Sequence, residues 1–268
     1  MKILLNEEPV YIEEDLTAFK LKDQVKEDAD VVILNGFIIK EDMLLKEGDS
    51  VSFIKKGEIP SHEELEALLV ARHTPGVHEK VKKAAVGIAG LGGLGSNIAI
   101  SLARVGIGKL VLIDFDVVEP SNLNRQQYFV SHIGMPKTEA IKEIISLINP
   151  FVNVEIKNLY LDAGNIQDCF AGVDIIAEAF DNPLCKAELV NTVLEKLPQT
   201  PIVAASGMAG YFSSNTVQTK KVMHNLYLVG DEVSEAKPGC GLMAPRVAIA
   251  ANHQANMVLR LILEEREV

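Results

Sequence analysis

Residues 84–95 read Ala84-Ala85-Val86-Gly87-Ile88-Ala89-Gly90-Leu91-Gly92-Gly93-Leu94-Gly95, a short apolar run that turns into glycines and then, over residues 97–105, into a helical stretch. Strand, glycine turn and helix in that order form the first unit of a βα sheet, in which glycines allow a tight turn and close approach of a ligand. Amides at the start of such a helix point outward and favour negative charge, so Gly90, Gly92, Gly93 and Gly95 are candidates to cradle a phosphate. The glycines alone do not separate a dinucleotide from ATP.

The same rhythm continues downstream. Residues 110–113 are the expected second strand, the alternating Val152, Val154 and Ile156 the third, residues 173–176 the fourth and residues 201–204 the fifth, with helices over 137–148 and 184–196 between them. Short apolar strands alternating with helices predict an α/β fold, a doubly wound and mostly parallel Rossmann-like sheet. Residues 217–221 and 226–229 read as later strands and residues 244–263 as a closing helix.

Upstream, residues 1–57 read as a small domain of strands. Residues 2–5 and 10–13 flank a turn-rich stretch, residues 17–21 open a short helix, residues 31–34 run into the turn signal Asn35-Gly36, and residues 51–54 alternate like an edge strand. Residues 58–83 are a linker and helix, with Ser61 and Glu64 as a capping box for a helix through Arg72. Residues 84–268 form the large domain.

Composition bounds the function. The chain has 268 residues, 48% of them hydrophobic, enough for one full core and a second small one. Lys and Arg number 26 against 37 Asp and Glu, a net charge of -11, which repels nucleic acid and anionic lipid in bulk. A nucleotide therefore needs a local site. The N-terminus lacks a basic stretch followed by an apolar run, and no stretch reaches the roughly 20 apolar residues that span a bilayer, so a cytoplasmic protein without membrane association is expected. Cys169, Cys185 and Cys240 are scattered without a Cys-x-x-Cys pair, so neither a disulfide framework nor a structural zinc is expected.

The residues past the glycine loop narrow the chemistry. Asp114, at the end of the second strand, stands where a carboxylate accepts both ribose hydroxyls, which serves NAD and ATP alike. Arg125 and Lys137 then add two cations, a surplus that suits a triphosphate attacked at its inner phosphorus and has no work in a dehydrogenase. Asp181 and Asn182 follow the fourth strand at the carboxyl edge of the sheet. A carboxylate beside phosphates calls for a cation between them, and Mg²⁺ bridges such groups, so Asp181 is the candidate magnesium ligand, the alternative being a helix N-cap.

Gly90-Leu91-Gly92-Gly93-Leu94-Gly95, Asp114-Phe115-Asp116, Ser121-Asn122-Leu123-Asn124-Arg125-Gln126, Pro136-Lys137 and Asp181-Asn182 occur in this order and spacing. On these motifs residues 65–263 resemble the ThiF/MoeB/HesA adenylyltransferases, the bacterial relatives of ubiquitin-activating enzymes, and residues 1–57 resemble the ThiS sulfur carrier with its β-grasp, ubiquitin-like fold. The resemblance implies ATP-dependent adenylation of the C-terminal glycine carboxylate of a Gly-Gly-tailed carrier, with release of pyrophosphate, in thiamine biosynthesis. It places Gly92 at the phosphates, Asp114 on the ribose, Asn122, Arg125 and Lys137 on the phosphates, Gln126 beside them and Asp181 on Mg²⁺. It also implies a homodimer in which Arg72 of one copy reaches the other's site.

Three departures accompany the resemblance. The paired Cys-x-x-Cys zinc motif of many relatives is missing. Cys240, in the expected exposed loop Pro238-Gly239-Cys240-Gly241, is the only late cysteine that could serve a sulfur step, which otherwise falls to an outside persulfide donor, while Cys185 reads as a packed helical core residue. The ThiS-like segment runs through Lys55-Lys56-Gly57-Glu58 into the enzyme, so it has no free Gly-Gly carboxylate and is not its own substrate. A carboxylate on a modified tRNA as the acceptor, and a non-catalytic carrier-binding protein, are the competing expectations. In either adenylation the nucleophile is already ionised at neutral pH and requires no general base.

Overall fold

The computed structural model of the protein describes residues 1–6, 8–59, 61–62, 64–65 and 76–268. The chain divides into two compact units, residues 1–75 and 76–268.

The first unit is a β-grasp-like sheet. Strands β1 (Lys2–Leu5), β2 (Glu8–Tyr11), β3 (Val31–Leu34), β4 (Phe37–Ile39) and β5 (Ser50–Ile54) lie in the order β2-β1-β5-β3-β4, with helix α1 (Ala18–Val25) between β2 and β3 in the chain. Thr17 caps α1, its hydroxyl accepting from Lys20 N–H, and Leu21 packs with Ile3, Val32, Val51 and Phe53 in one core. Asn35 and Gly36 both have positive φ, the requirement of a two-residue hairpin turn between β3 and β4. The strand expected at an edge is instead central: β5 pairs in parallel with β1 and antiparallel with β3. Alternating hydrophobicity reports that one face is covered and carries no information about neighbours within the sheet. Near the end of this unit Ser61 Oγ accepts from Glu64 N–H at 3.1 Å. The rest of the expected helix, Arg72 included, lies outside the described residues.

The second unit is a Rossmann-like α/β fold. After a short helix α2 (Val77–Val81) come β6 (Ala85–Ala89), α3 (Gly93–Arg104), β7 (Lys109–Ile113), α4 (Lys137–Ile148), β8 (Asn153–Lys157), α5 (Ile166–Cys169), β9 (Ile175–Glu178), α6 (Pro183–Lys196), β10 (Ile202–Ala205), β11 (Gln218–Met223), β12 (Leu226–Gly230) and α7 (Ala244–Ile262). The seven strands lie in the order β11-β12-β10-β9-β6-β7-β8. All pairings are parallel except that of β11 with β12. Ile98 of α3, Ile141 of α4 and Val258 of α7 share one core with Val86, Leu110 and Val203. On the other face Ile166 of α5 and Leu189 of α6 pack with Val111, Ile176 and Ile202. Both faces are thus covered over the inner strands, which is why β6, β7, β9, β10 and β12 read as nearly continuous apolar runs while the edge strands β8 and β11 do not. The chain steps outward from β6 to β7 and β8 and then returns to β9 on the other side of β6, so the strand order reverses there and the carboxyl ends open a crevice. No helix among the described residues is long and apolar enough to cross a membrane.

Candidate active site

A cavity of about 970 Å³ occupies that crevice. Its first wall is the glycine loop. Gly90 has φ +88°, and a Cβ there would meet the Ala179 carbonyl at 3.0 Å, so the turn needs glycine for both conformation and space. Helix α3 begins within the loop at Gly93, four residues earlier than the apolar pattern suggests, and no side chain caps its first turn. Those amides are left for an anion. The loop's carbonyls are tied down behind it: Tyr128 Oη donates to Leu91 O at 2.8 Å, Ser96 Oγ to Gly92 O at 2.7 Å and Asn97 Nδ2 to Gly93 O at 2.7 Å.

Gly90, Gly92 and Gly93 line the cavity together with Asp114, Asn122, Arg125, Gln126, Lys137, Asp181 and Asn182. Gly95 is not among the lining residues. A Cβ there would stand 1.8 Å from Gly90 O, so its place is the close seating of α3 on the end of β6.

Asp114 is buried, and its two carboxylate oxygens accept from Leu91 N–H at 2.6 Å and Asp116 N–H at 2.8 Å. Burial pushes its pKa up, against the pull of Lys137 and of those two amides. Lys137 is buried at the start of α4 and donates from Nζ to Asp116 Oδ2 at 2.7 Å. It is thus a paired ammonium, with Asp116 half in solvent. Arg125 donates from Nη1 to Ser121 O and Asn124 Oδ1, while its buried Nε has no partner among the described residues. Gln126 is 8% exposed, and its buried Oε1 likewise has no partner among the described residues. Buried polar groups without partners are costly and mark where a ligand or a rearrangement is needed.

Asp181, which follows β9 and lines the same cavity, is exposed. The cap of α6 is Asn182, whose side chain accepts from Leu184 N–H at 2.8 Å and Cys185 N–H at 3.3 Å, so Asp181 is free of that duty. Among the described residues no group of three or more His, Cys, Asp or Glu could hold a metal. A lone carboxylate such as Asp181 could hold Mg²⁺ only with substrate phosphates and water as the other ligands, a usual arrangement for that ion. Cys185, expected in the core, is half-buried on the cavity wall with Sγ 3.3 Å from Tyr160 Oη. Phe115 packs edge-on against that tyrosine ring at 5.2 Å. The first turn of α6 meets the open end of the sheet, where an inward-facing side chain finds a cavity in place of a core. Cys240 is half-buried and is not among the residues that line the cavity, its Sγ 3.1 Å from the position a Cβ on Gly210 would take.

Two ion pairs escape sequence reasoning. Glu178, fully buried at the end of β9, accepts from Lys186 Nζ through both oxygens at 2.9 Å, and Lys186 also donates to Ala205 O, joining α6 to the ends of β9 and β10. Arg246, buried in the first turn of α7, pairs with Asp231 at 2.6 Å. Lys186 follows Glu178 by eight residues and Arg246 follows Asp231 by 15, separations that carry no helical or strand signal. Burial would raise the Asp231 carboxyl, yet hydrogen bonds from the Ser234 hydroxyl, the Ser234 and Val233 amides and Arg246 outweigh it and hold the pKa at about 2. A depressed carboxyl contributes stability above its unfolded value and loses it as pH falls through the folded one. The Val233 and Ser234 amides are therefore expected to stay protected from hydrogen exchange at pH 4 and to lose protection toward pH 2. Loss of that protection already at pH 4 would contradict the assignment.

Comparison with known proteins agrees with this geometry. Residues 66–268 match the ThiF family and residues 1–57 match ThiS-like ubiquitin. The adenylyltransferase and sulfurtransferase UBA4 of Saccharomyces cerevisiae is 31% identical over 203 residues, which cover 73% of this chain and 46% of the yeast protein. The UBA4 of Yarrowia lipolytica is 29% identical over 65% of this chain and 45% of its own length. The chain thus spans less than half the length of these curated relatives. Among solved structures, Escherichia coli tRNA N6-threonylcarbamoyladenosine dehydratase, TcdA, in complex with ATP has a TM-score of 0.69 at 21% identity, covering 78% of this chain and 98% of that one. E. coli MccB has a TM-score of 0.56 at 27% identity over 71% of this chain and 59% of its own. With a glycine loop, two cations and a carboxylate around one cavity, and with a family match across most of its length, this chain belongs to the ThiF family, with a ThiS-like β-grasp domain fused at its N-terminus.

Proposed function

We propose that the chain activates a carboxylate by ATP-dependent adenylylation. A carboxylate oxygen of the acceptor forms a bond to the α-phosphorus, the bond from that phosphorus to the α–β bridging oxygen breaks, and pyrophosphate leaves with the electron pair. The supporting observation is that the uncapped start of α3, Arg125 and Lys137 line the same cavity as Asp181. In this reading the α3 amides, Asn122 and the two cations hold the phosphates, Asp114 accepts the ribose hydroxyls, and the side chains stabilise charge developing on the phosphoryl oxygens. Mg²⁺ held by Asp181, when bound, supplies further neutralisation of phosphate charge.

Two acceptors fit. One is the Gly-Gly tail of a ubiquitin-like sulfur carrier, supported by the likeness to UBA4 and by the fused ThiS-like domain. The other is a carboxylate on a modified tRNA, supported by the likeness to TcdA, which extends over nearly all of that protein where the likeness to UBA4 stops short of half. At 21% identity the TcdA likeness carries the fold, and a net charge of -11 opposes binding of a polyanion. Thiamine synthesis rests on the ThiS resemblance alone; activation of a sulfur carrier is the coarser statement that the relatives support. The expected homodimer with Arg72 at the partner's site, and sulfur transfer through Cys240 or an outside persulfide, belong to the same proposal.

ATP–pyrophosphate exchange tests it. Exchange stimulated by a Gly-Gly-tailed carrier and not by tRNA is the expected result. Stimulation by threonylcarbamoyl-modified tRNA alone would assign the second acceptor, and ATP binding with no exchange under either acceptor would reduce the protein to a non-catalytic binder.

A further inference from the structure

We infer that Arg246 is a positioning residue for the acceptor: its guanidinium fastens together two loops that line the cavity. This rests on the adenylylation proposed above, and it concerns a residue that touches neither ATP nor the reacting atoms.

The two loops follow β10 and β12. Ser206, Gly207, Met208 and Ala209 line the cavity from the first, and Glu232, Val233 and Ser234 line it from the second. Their backbones meet directly, Asp231 N–H donating to Gly207 O and Glu232 N–H to Ser206 O, both at 2.9 Å. Arg246 closes the arrangement from behind. Its Nη1 donates to Phe212 O at 3.0 Å and Ser213 O at 2.8 Å, and its Nη2 to Thr216 Oγ1 at 3.0 Å and Asp231 Oδ2 at 2.6 Å. The Phe212 ring lies 5.7 Å from the guanidinium carbon. Asp231 in turn accepts from the Val233 and Ser234 amides, which carries the tie into the cavity lining.

A buried cation is costly unless paired, and its retention here serves the loops. Among the described residues the four hydrogen bonds from the Arg246 Nη atoms end on these two loops and none on its own helix, and its buried Nε has no partner. The nucleotide side is held by other means: Tyr128, Ser96 and Asn97 brace the glycine loop. The α7 residue that seats against Gly93 is Val247, whose position comes from the core. In the adenylylation reading the nucleotide takes the glycine loop and Asp114, which leaves the loops that Arg246 ties, lining the same cavity, to the acceptor. Lysine cannot replace it, because one ammonium does not reproduce a planar fork with four aligned donors.

The test uses the full chain with Arg246→Met, which keeps the stem, with Arg246→Lys, and with Asp231→Asn as a milder second variant. For Arg246→Met the expected result is an ATP affinity by calorimetry within about twofold of wild type, an acceptor KM in pyrophosphate exchange raised about tenfold or more, and kcat little changed. Amides 207–216 and 231–235 should exchange hydrogen about tenfold faster, those of 90–95 at the wild-type rate. Arg246→Lys should restore neither, and Asp231→Asn should shift the same readouts by less. The acceptor is whichever of the Gly-Gly carrier and the modified tRNA supports wild-type exchange. If neither does, adenylylation falls, and amide exchange with ATP affinity still decides the role of Arg246. An equal loss of ATP affinity, an unchanged acceptor KM, or unaltered protection of 207–216 would overturn the inference.

Discussion

Lys137→Met is expected to lower acceptor-dependent pyrophosphate exchange about 100- to 1,000-fold, the usual cost of removing one oriented donor from developing charge. The substitution keeps the buried stem and deletes only the ammonium. Its partner Asp116 has a half-exposed side chain and can be rehydrated, so the stability lost with this pair should be small beside the loss of activity. Activity and stability therefore part company, which a purely structural lysine would not produce. A second consequence distinguishes the site: Lys137 opposes the upward push of burial on Asp114, so its removal should raise that pKa further. Wild-type exchange in Lys137→Met, with denaturation confirming an intact fold, would remove Lys137 from the chemistry.

Gly95→Ala should act on the fold and the ligand together. The added Cβ would lie 1.8 Å from Gly90 O and 2.9 Å from Gly90 C, backbone atoms that no rotamer change can move aside. Helix α3 must then shift off β6, at a cost of about 3 kcal/mol or more. Because the same shift moves the amides at Gly92 and Gly93, ATP affinity should fall about tenfold or more. Gly92 offers the control for the fold alone, since a Cβ there meets no protein atom closer than Gln126 Nε2 at 3.9 Å. Chemical denaturation with calorimetric titration reads both effects, and a Gly95→Ala protein of normal stability and affinity would show the contact to be relieved some other way.

Much of this arrangement is legible in the sequence. Inner strands covered on both faces appear as apolar runs, and the glycine loop, Asp114, Lys137 and Asp181 stand at or beside the ends of elements, while Arg125 lies within the long loop between β7 and α4. What is not legible is pairing between distant residues. Nothing local links Asp231 to Arg246 or Glu178 to Lys186, and Asp116 as the partner of Lys137 depends on how the chain folds back after β7. Position within a sheet is hidden for a related reason: Val51 and Phe53 alternate with serines wherever β5 sits, and only pairing with β1 and β3 makes it central. Cys185 shows the limit of helical periodicity, which assigns a face without saying whether that face meets side chains or empty space.

The bracing of the glycine loop by Tyr128, Ser96 and Asn97 has an entropic corollary. Its backbone is immobilised when the chain folds, so a ligand arriving there meets a rigid cradle and little of its binding energy is spent on ordering protein. Grip and conformational integrity are thereby coupled, and damage to α3 far from any phosphate would be felt as weakened capture before it is felt as unfolding.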